Sequence, residues 1–230
     1  MLARGGRTPA FTPLVLVAAA ALFTALLVIL MVGPLLVDMA EDLEVPVALA
    51  GQLNAPTPFV WLFVSLLAGP LSDKYGRKPV LLLGIGSTAL ALLGTGLAWN
   101  FSSAMVFRAA SGLTGVVPPT FGALMGDYVP MEKRGKAIGL MSTGMGFAGV
   151  VGVALMAVVG DLYSWRWSFY LAAALTAALW GLVLVMLPGG RPSNVAPGTL
   201  ISRFIPLLKL RFIWDLSVAN FCNRLAFFAF

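Results

Sequence analysis

The sequence predicts an all-α membrane protein, with six membrane-spanning helices and the start of a seventh. Three observations carry that prediction. Of 230 residues, 60% are hydrophobic and 10% charged, with a mean hydropathy of +0.95, whereas soluble domains carry about 25% charged residues. Apolar runs of about 20 residues or more recur along the chain, each long enough at about 1.5 Å per residue to cross a hydrocarbon core of roughly 30 Å. Between them the polar residues are confined to short clusters rich in Gly, Pro and charge.

Residues 1–10, with Arg4 and Arg7, are a basic tail without core-forming side chains. The run Phe11 to Val37 is too long for a signal-peptide core and reads as an uncleaved first span. Asp38, Glu41, Asp42 and Glu44 then make an acidic loop over 38–46, closed by Pro46. A second span runs from Val47 to Pro70, with Asn54, Pro58, Ser65 and Gly69 at helical intervals. The segment GPLSDKYGRKP, Gly69 to Pro79, follows as a polar hairpin, in which two glycines and two prolines are expected to break the helix.

The third span covers Pro79 to Ala98 and the fourth Ser103 to Asp127, joined by a brief turn. DYVPMEKRGK, Asp127 to Lys136, is a second polar hairpin. The glycine-rich fifth span runs from Gly135 to Gly160; DLYSWRW then supplies aromatic residues suited to the headgroup level, and the sixth span ends at Leu187. Residues 188–211 form a breaker-rich linker with a basic amphipathic stretch, and 212–230 are a partial seventh span with Asp215 and Arg224 within it.

Topology follows from the cations. Twelve of the fifteen lie on the side of the N-terminus and the two hairpins, one (Arg166) on the other side, and Arg108 and Arg224 within spans. The positive-inside rule therefore expects a multi-pass protein of the plasma or inner membrane, with its N-terminus and hairpins cytoplasmic and the 38–46 loop outside. The scattered cations form no solvated basic face, which argues against nucleic acid as a partner. With no histidine and one cysteine, Cys222, histidine metal sites, Ser–His catalysis and intrachain disulfides are excluded. No phosphate-binding P-loop is present. Neither a cofactor nor a metal is expected, and the chain reads as no enzyme.

Arg108 is the most informative single residue. A charge in mid-span costs at least about 2.5–3.5 kcal/mol on insertion scales, so it needs a cavity or a partner. Its spacing to Ser111, Gly112 and Gly115 puts all four on one helix face. The bland alternative is snorkelling to the interface. In the fifth span Gly146, Gly149 and Gly152 permit close helix contact, which plain packing also accounts for. Asp127 is placed to join Asp73 and Arg77 in one charge cluster, where topological anchoring by cations is the bland reading.

The pattern Gly69-x-Leu71-x-Asp73-x-x-Gly76-Arg77-Lys78 resembles the loop between the second and third helices of the major facilitator superfamily (MFS) of secondary transporters. Arg108-x-x-Ser111-Gly112 is similar to that family's fourth-helix motif, with Ser111 where glutamine is common, and Trp165 to Tyr170 resembles the entry into helix six. In the antiporters of the family the fifth helix carries a glycine–proline signature; here Val150 follows Gly149.

The resemblance implies an MFS-type bundle of two inverted three-helix repeats over 11–187, the amino-terminal half of a transporter that works by alternating access with a second six-helix bundle. That bundle would come from a C-terminal continuation, a separate chain or a homodimer. It implies a cytoplasmic gate of Gly69, Asp73, Gly76 and Arg77, supported by Asp127 and Arg134. It also implies a substrate and proton pathway through Arg108. Asp38 and Asp215 sit at helix ends, where a cap or surface role accounts for them; a proton carrier in this half would be Asp38, paired with Arg108, and otherwise it belongs to the second bundle. Gln52, Asn54, Thr57, Ser111, Thr114, Thr120, Asn220 and Asn223 are the expected polar lining, and Gly112 and Gly115 the packing positions. The function expected is proton-coupled efflux of small organic molecules or drugs, in contact with membrane lipid. A sugar or organic-acid importer or uniporter on the same fold, or a non-transporting half-size protein, is the alternative.

Overall fold

The helices of this protein are long because the apolar runs are long, and they break where proline or glycine removes a hydrogen bond or a side chain. The computed structural model describes residues 11–187, and among these there is helix and turn but no strand. The first span is α1 (Phe11–Leu30) and α2 (Val32–Asp42), separated at Met31. Pro34, in the first turn of α2, has no N–H to continue the ladder back to Leu30, which is why the break falls there. The second span comprises α3 (Val47–Ala50), a 3₁₀ turn (Gly51–Asn54) and α4 (Pro56–Tyr75). The third is α5 (Arg77–Gly96), uninterrupted.

The fourth span is divided into α6 (Phe101–Ser111), a 3₁₀ turn (Gly112–Val116) and α7 (Val117–Tyr128). Asn100 and Ser103 bond reciprocally at the start of α6, a capping box that fixes where it begins. The fifth span has α8 (Met131–Phe147), a π-helical segment (Ala148–Gly152) and α9 (Val153–Leu162); the sixth is α10 (Trp165–Met186), capped by Ser164. Five described spans are long and apolar enough to cross a membrane; the fourth, which carries Arg108, Pro118, Pro119 and Asp127, is less apolar and is not among them. This is a multi-pass membrane bundle.

Two expectations about boundaries change. The acidic loop is shorter than 38–46, because α2 carries Asp38, Glu41 and Asp42 in helix and leaves Leu43 to Pro46 as the connection. The hairpin at Gly69 to Pro79 is narrower still: α4 passes straight through Gly69 and Pro70, and the break is Gly76 alone, at φ 100° and ψ 154°. Only glycine adopts that conformation without strain. The linker 188–211, the partial seventh span, the basic tail 1–10, Asn220 and Asn223 lie outside the described residues.

Core packing has two layers. Leu14, Ala18, Leu81, Ile85, Phe121 and Met125 fill the one toward Gly76. Leu27, Met31, Leu35, Leu92, Trp165 and Phe169 fill the one toward the start of α10. The first and third spans are each 56% buried over their apolar window, whereas the second and fifth are 17% and 22% buried. The first and third spans are therefore the packed centre, and the second and fifth present open apolar faces.

Candidate functional site

Arg108, in the fourth span, is held by the first and second spans together. At the end of α6 the Gly112 N–H turns to the carbonyls of Ala109 and Ala110, as the helix tightens into 3₁₀. The Arg108 carbonyl, released from the α-helical ladder, accepts the Thr57 hydroxyl at 2.7 Å. Its guanidinium reaches across the bundle, where Nε donates to the Leu53 carbonyl at 3.3 Å and Nη1 to the Val28 carbonyl at 2.9 Å. The residue three on from Leu53 is Pro56, which has no N–H to complete a 3₁₀ bond, so the carbonyl is open to the arginine. Nη2 has no partner among the described residues. Arg108 is 0% exposed, so snorkelling does not describe it.

Gly112 and Gly115 make this approach possible. A Cβ at Gly112 would lie 2.6 Å from the Thr57 carbonyl oxygen, and one at Gly115 would lie 2.7 Å from that of Trp61. Backbone meets backbone there, with no room for a methyl.

The other expected pathway groups are not brought together around Arg108. Asp38 is half-buried in α2, ten residues beyond Val28, or about 15 Å along the helix at 1.5 Å per residue. Nε and Nη1 go to carbonyls instead, and the expected Asp38–Arg108 pair does not form. Ser111 returns its hydroxyl to the Phe107 carbonyl at 3.0 Å, as hydroxyls do in apolar helices. Thr114 and Thr120 are buried, and the Thr120 hydroxyl has no partner among the described residues. Gln52 is exposed and Asn54 half-buried in the 3₁₀ turn.

At the Gly76 end the charges converge. Asp73 and Arg77 stand on either side of Gly76, with Nη1 of Arg77 2.8 Å from Asp73 Oδ1 and Nε 3.2 Å from Asp127 Oδ2, at the end of α7. Arg77 also donates to the Ser72 hydroxyl. Arg134 does not join the carboxylates: it donates to the carbonyls of Val129 at 3.0 Å and Gly126 at 2.6 Å, closing the C-terminus of α7. Gly69 lies in helix, with nothing within 4 Å of a Cβ built on it.

Sequence reasoning missed two further ties. Lys78 Nζ donates to the carbonyls of Leu184 and Leu187, both at 2.7 Å, and so caps α10. At the opposite end Arg166 bonds the carbonyls of Gly96 and Ala98 at 2.9 and 2.8 Å and pairs with Asp42 at 2.5 Å, joining the first, third and sixth spans. The available signal was general: a cation near a helix C-terminus is drawn to its free carbonyls.

The fifth-span glycines divide. A Cβ at Gly144 would fall 2.1 Å from the Ala19 carbonyl oxygen and one at Gly152 3.0 Å from the Phe23 ring, whereas one at Gly146 would meet nothing within 4 Å and one at Gly149 only Leu30 at 3.9 Å. Of the three glycines expected to pack, Gly152 makes a close approach, whereas Gly146 and Gly149 are exposed and Gly144 takes the contact with α1 in their place. A glycine count cannot tell which side of the helix meets α1.

Comparison with known proteins gives a consistent picture. The family model described as Major Facilitator Superfamily matches residues 18–230. The uncharacterized MFS-type transporter YwfA of Bacillus subtilis (strain 168) is 35% identical over 144 residues, which span 62% of this chain and 35% of the relative. Multidrug resistance protein 3 of the same organism is 31% identical over 134 residues, 54% of this chain and 26% of that protein. The matched stretch thus covers about a third or less of either relative. Among solved structures, the inward-open xylose transporter XylE from E. coli has a TM-score of 0.68 at 12% identity, over 76% of this chain and 47% of that one.

Proposed function

The chain belongs to the Major Facilitator Superfamily, a family of transporters and not enzymes, and from that premise we propose that residues 11–187 are the amino-terminal bundle of a proton-driven exporter of small organic molecules. Its partner in alternating access is a second six-helix bundle. The multidrug-resistance name of a 31%-identical relative supports the efflux direction. The concentration of cations on the side of the two hairpins supports placing the N-terminus and Gly76 in the cytoplasm of a cell with this protein in its plasma or inner membrane.

The observation that carries the reading is the Arg77 tie. One guanidinium grips carboxylates from the ends of the second and fourth spans, across a one-residue turn that only glycine adopts without strain. This cluster is a latch: intact, it holds the Gly76 end of the bundle in one arrangement, and when the second bundle withdraws the charges exchange partners. Arg108 is the fixed charge of the interior, with one donor nitrogen left for a polar group that arrives with substrate. Since Asp38 does not reach it, the proton carrier in this reading is a carboxylate of the second bundle.

The test is transport by the full-length protein in proteoliposomes with an imposed pH gradient and a fluorescent organic cation. Gradient-dependent movement is expected, and Arg77→Ala or Asp127→Asn should slow it by about tenfold, roughly 1.4 kcal/mol in barrier. Substrate affinity should change far less. Absence of any pH-gradient dependence would remove the proton coupling, and unaltered turnover in both variants would remove the latch.

A further inference from the structure

Side chains join the third and sixth spans by donating to main-chain carbonyls at both ends and in the middle. At the end away from Gly76, Arg166 Nη1 donates to the carbonyls of Gly96 and Ala98, and the Tyr170 hydroxyl to that of Gly96 at 3.0 Å. Midway, the Trp180 indole N–H reaches the Leu82 carbonyl at 2.9 Å. Two glycines make room for these rings: a Cβ at Gly96 would lie 2.6 Å from the Tyr170 ring, and one at Gly86 3.0 Å from the indole nitrogen. At the Gly76 end the tie is Lys78, whose Nζ donates to the carbonyls of Leu184 and Leu187, both at 2.7 Å.

The sequence leaves those two carbonyls open. In a continued α-helix the Leu184 carbonyl would be bonded by the N–H of residue 188, and residue 188 is proline. Leu187 leaves the helix at ψ 129°, so its carbonyl has no partner in the ladder. A cation is the favoured donor to the last carbonyls of a helix, and Lys78 supplies it. Lys78 also follows Arg77 directly, and the two are the first residues of α5 after the Gly76 turn. Successive helical residues point about 100° apart, and these two take different partners: Arg77 grips the ends of the second and fourth spans, Lys78 the end of the sixth. One peptide bond therefore separates the charge cluster from the tie to α10.

We propose that Lys78 is a positioning residue of the transport cycle: it fastens the last turn of the sixth span to the latch, so that an exchange of partners at Arg77 is passed to the end of α10 and to the chain that continues from it. This role rests on the latch reading given above. Topological anchoring, the bland account of a cation here, needs only a charge on one side of the membrane; it does not need two bonds to carbonyls that a proline and a helix end leave open.

The experiment uses the full-length protein, otherwise free of cysteine, with Met186→Cys at a position in the last turn of α10 that is 38% exposed. Its labelling by a membrane-impermeant maleimide is followed in nanodiscs, which offer both faces, and turnover is measured in proteoliposomes. With Lys78 present, Asp127→Asn should raise labelling several-fold. In Lys78→Met, which keeps the length of the stem and loses the donor, labelling should already be high, Asp127→Asn should add nothing, and turnover should fall several-fold with KM unchanged. Lys78→Arg should restore the dependence. Pro188→Ala, which leaves Lys78 intact and offers the Leu184 carbonyl an N–H of its own, should weaken it, and so reads the same tie if Lys78→Met folds poorly. Slowed transport in Asp127→Asn with unchanged labelling, or with the same rise in Lys78→Met, would overturn the coupling and leave the latch standing. Unaltered turnover in both Asp127→Asn and Arg77→Ala removes the latch, and the coupling with it.

Discussion

Arg108 shows how a membrane interior tolerates a permanent charge with no counter-charge bonded to it among the described residues. Two carbonyls opened by irregular backbone take two of its donors, and charge-assisted hydrogen bonds of this kind are worth about 1.5–3 kcal/mol each. Thr57 supports it from the backbone side, so the arginine is anchored at both ends. Replacing Thr57 with Val should leave the protein folded but loosen the second span from the fourth, lowering the detergent-solubilised melting temperature by a few degrees. Arg108→Ala should abolish gradient-driven transport in proteoliposomes while the far-UV helical signal persists; full coupled transport would show that the arginine serves packing only. The position of this residue could be read from the sequence, since charge in an apolar run stands out. Its partners could not, because they are main-chain carbonyls that every residue possesses.

Among the elements, α4, α5 and α8 were legible in outline and misjudged in detail. The polar segment at Gly69 to Pro79 correctly marks where the second span gives way to the third, but composition spread the break over eleven residues where the chain uses only Gly76. Proline within a membrane helix need not end it, since neighbouring groups re-satisfy the freed carbonyl; here helix α4 continues through Pro70. Gly76→Ala should therefore cost about 1–3 kcal/mol for its backbone conformation, whereas Gly69→Ala, with open space at its Cβ, should be nearly silent in a thermal melt. The fifth span offers a paired test of the same logic. Gly144→Val would force α8 away from the Ala19 backbone and should reduce folded yield sharply, while Gly146→Val faces open space and should not; equal yields would mean that α1 and α8 are not in contact.

Taken whole, the bundle is tied at its two ends by different means. Arg77, Lys78 and Arg134 each reach the C-terminal end of a helix on the Gly76 side, and Arg166 does the same for α5 on the other while pairing with Asp42 from α2. Arg166→Ala removes every bond at the second end that its side chain makes and leaves the first untouched. It should raise the accessibility of a cysteine at Ser164 to a membrane-impermeant maleimide several-fold, while one at Tyr75 is unchanged; a rise at both would mean that the ends are not independent. The fold class could be read from apolar length alone, and the side of most cations from counting. That the second and fifth spans carry the open faces could not, because burial depends on which neighbours arrive.

The 3₁₀ turn in the fourth span gives this bundle a stroke length. Five residues, Gly112 to Val116, rise about 2.0 Å each in 3₁₀ form and about 1.5 Å each in α form. Winding them into continuous helix would shorten the distance from Arg108 to Asp127 by about 2.5 Å and turn one end against the other by about 100°. A rotation of that size would carry Asp127 off the Arg77 guanidinium, so in the proposed transport cycle the same five residues would set how far the interior charge and the end-cluster move in step.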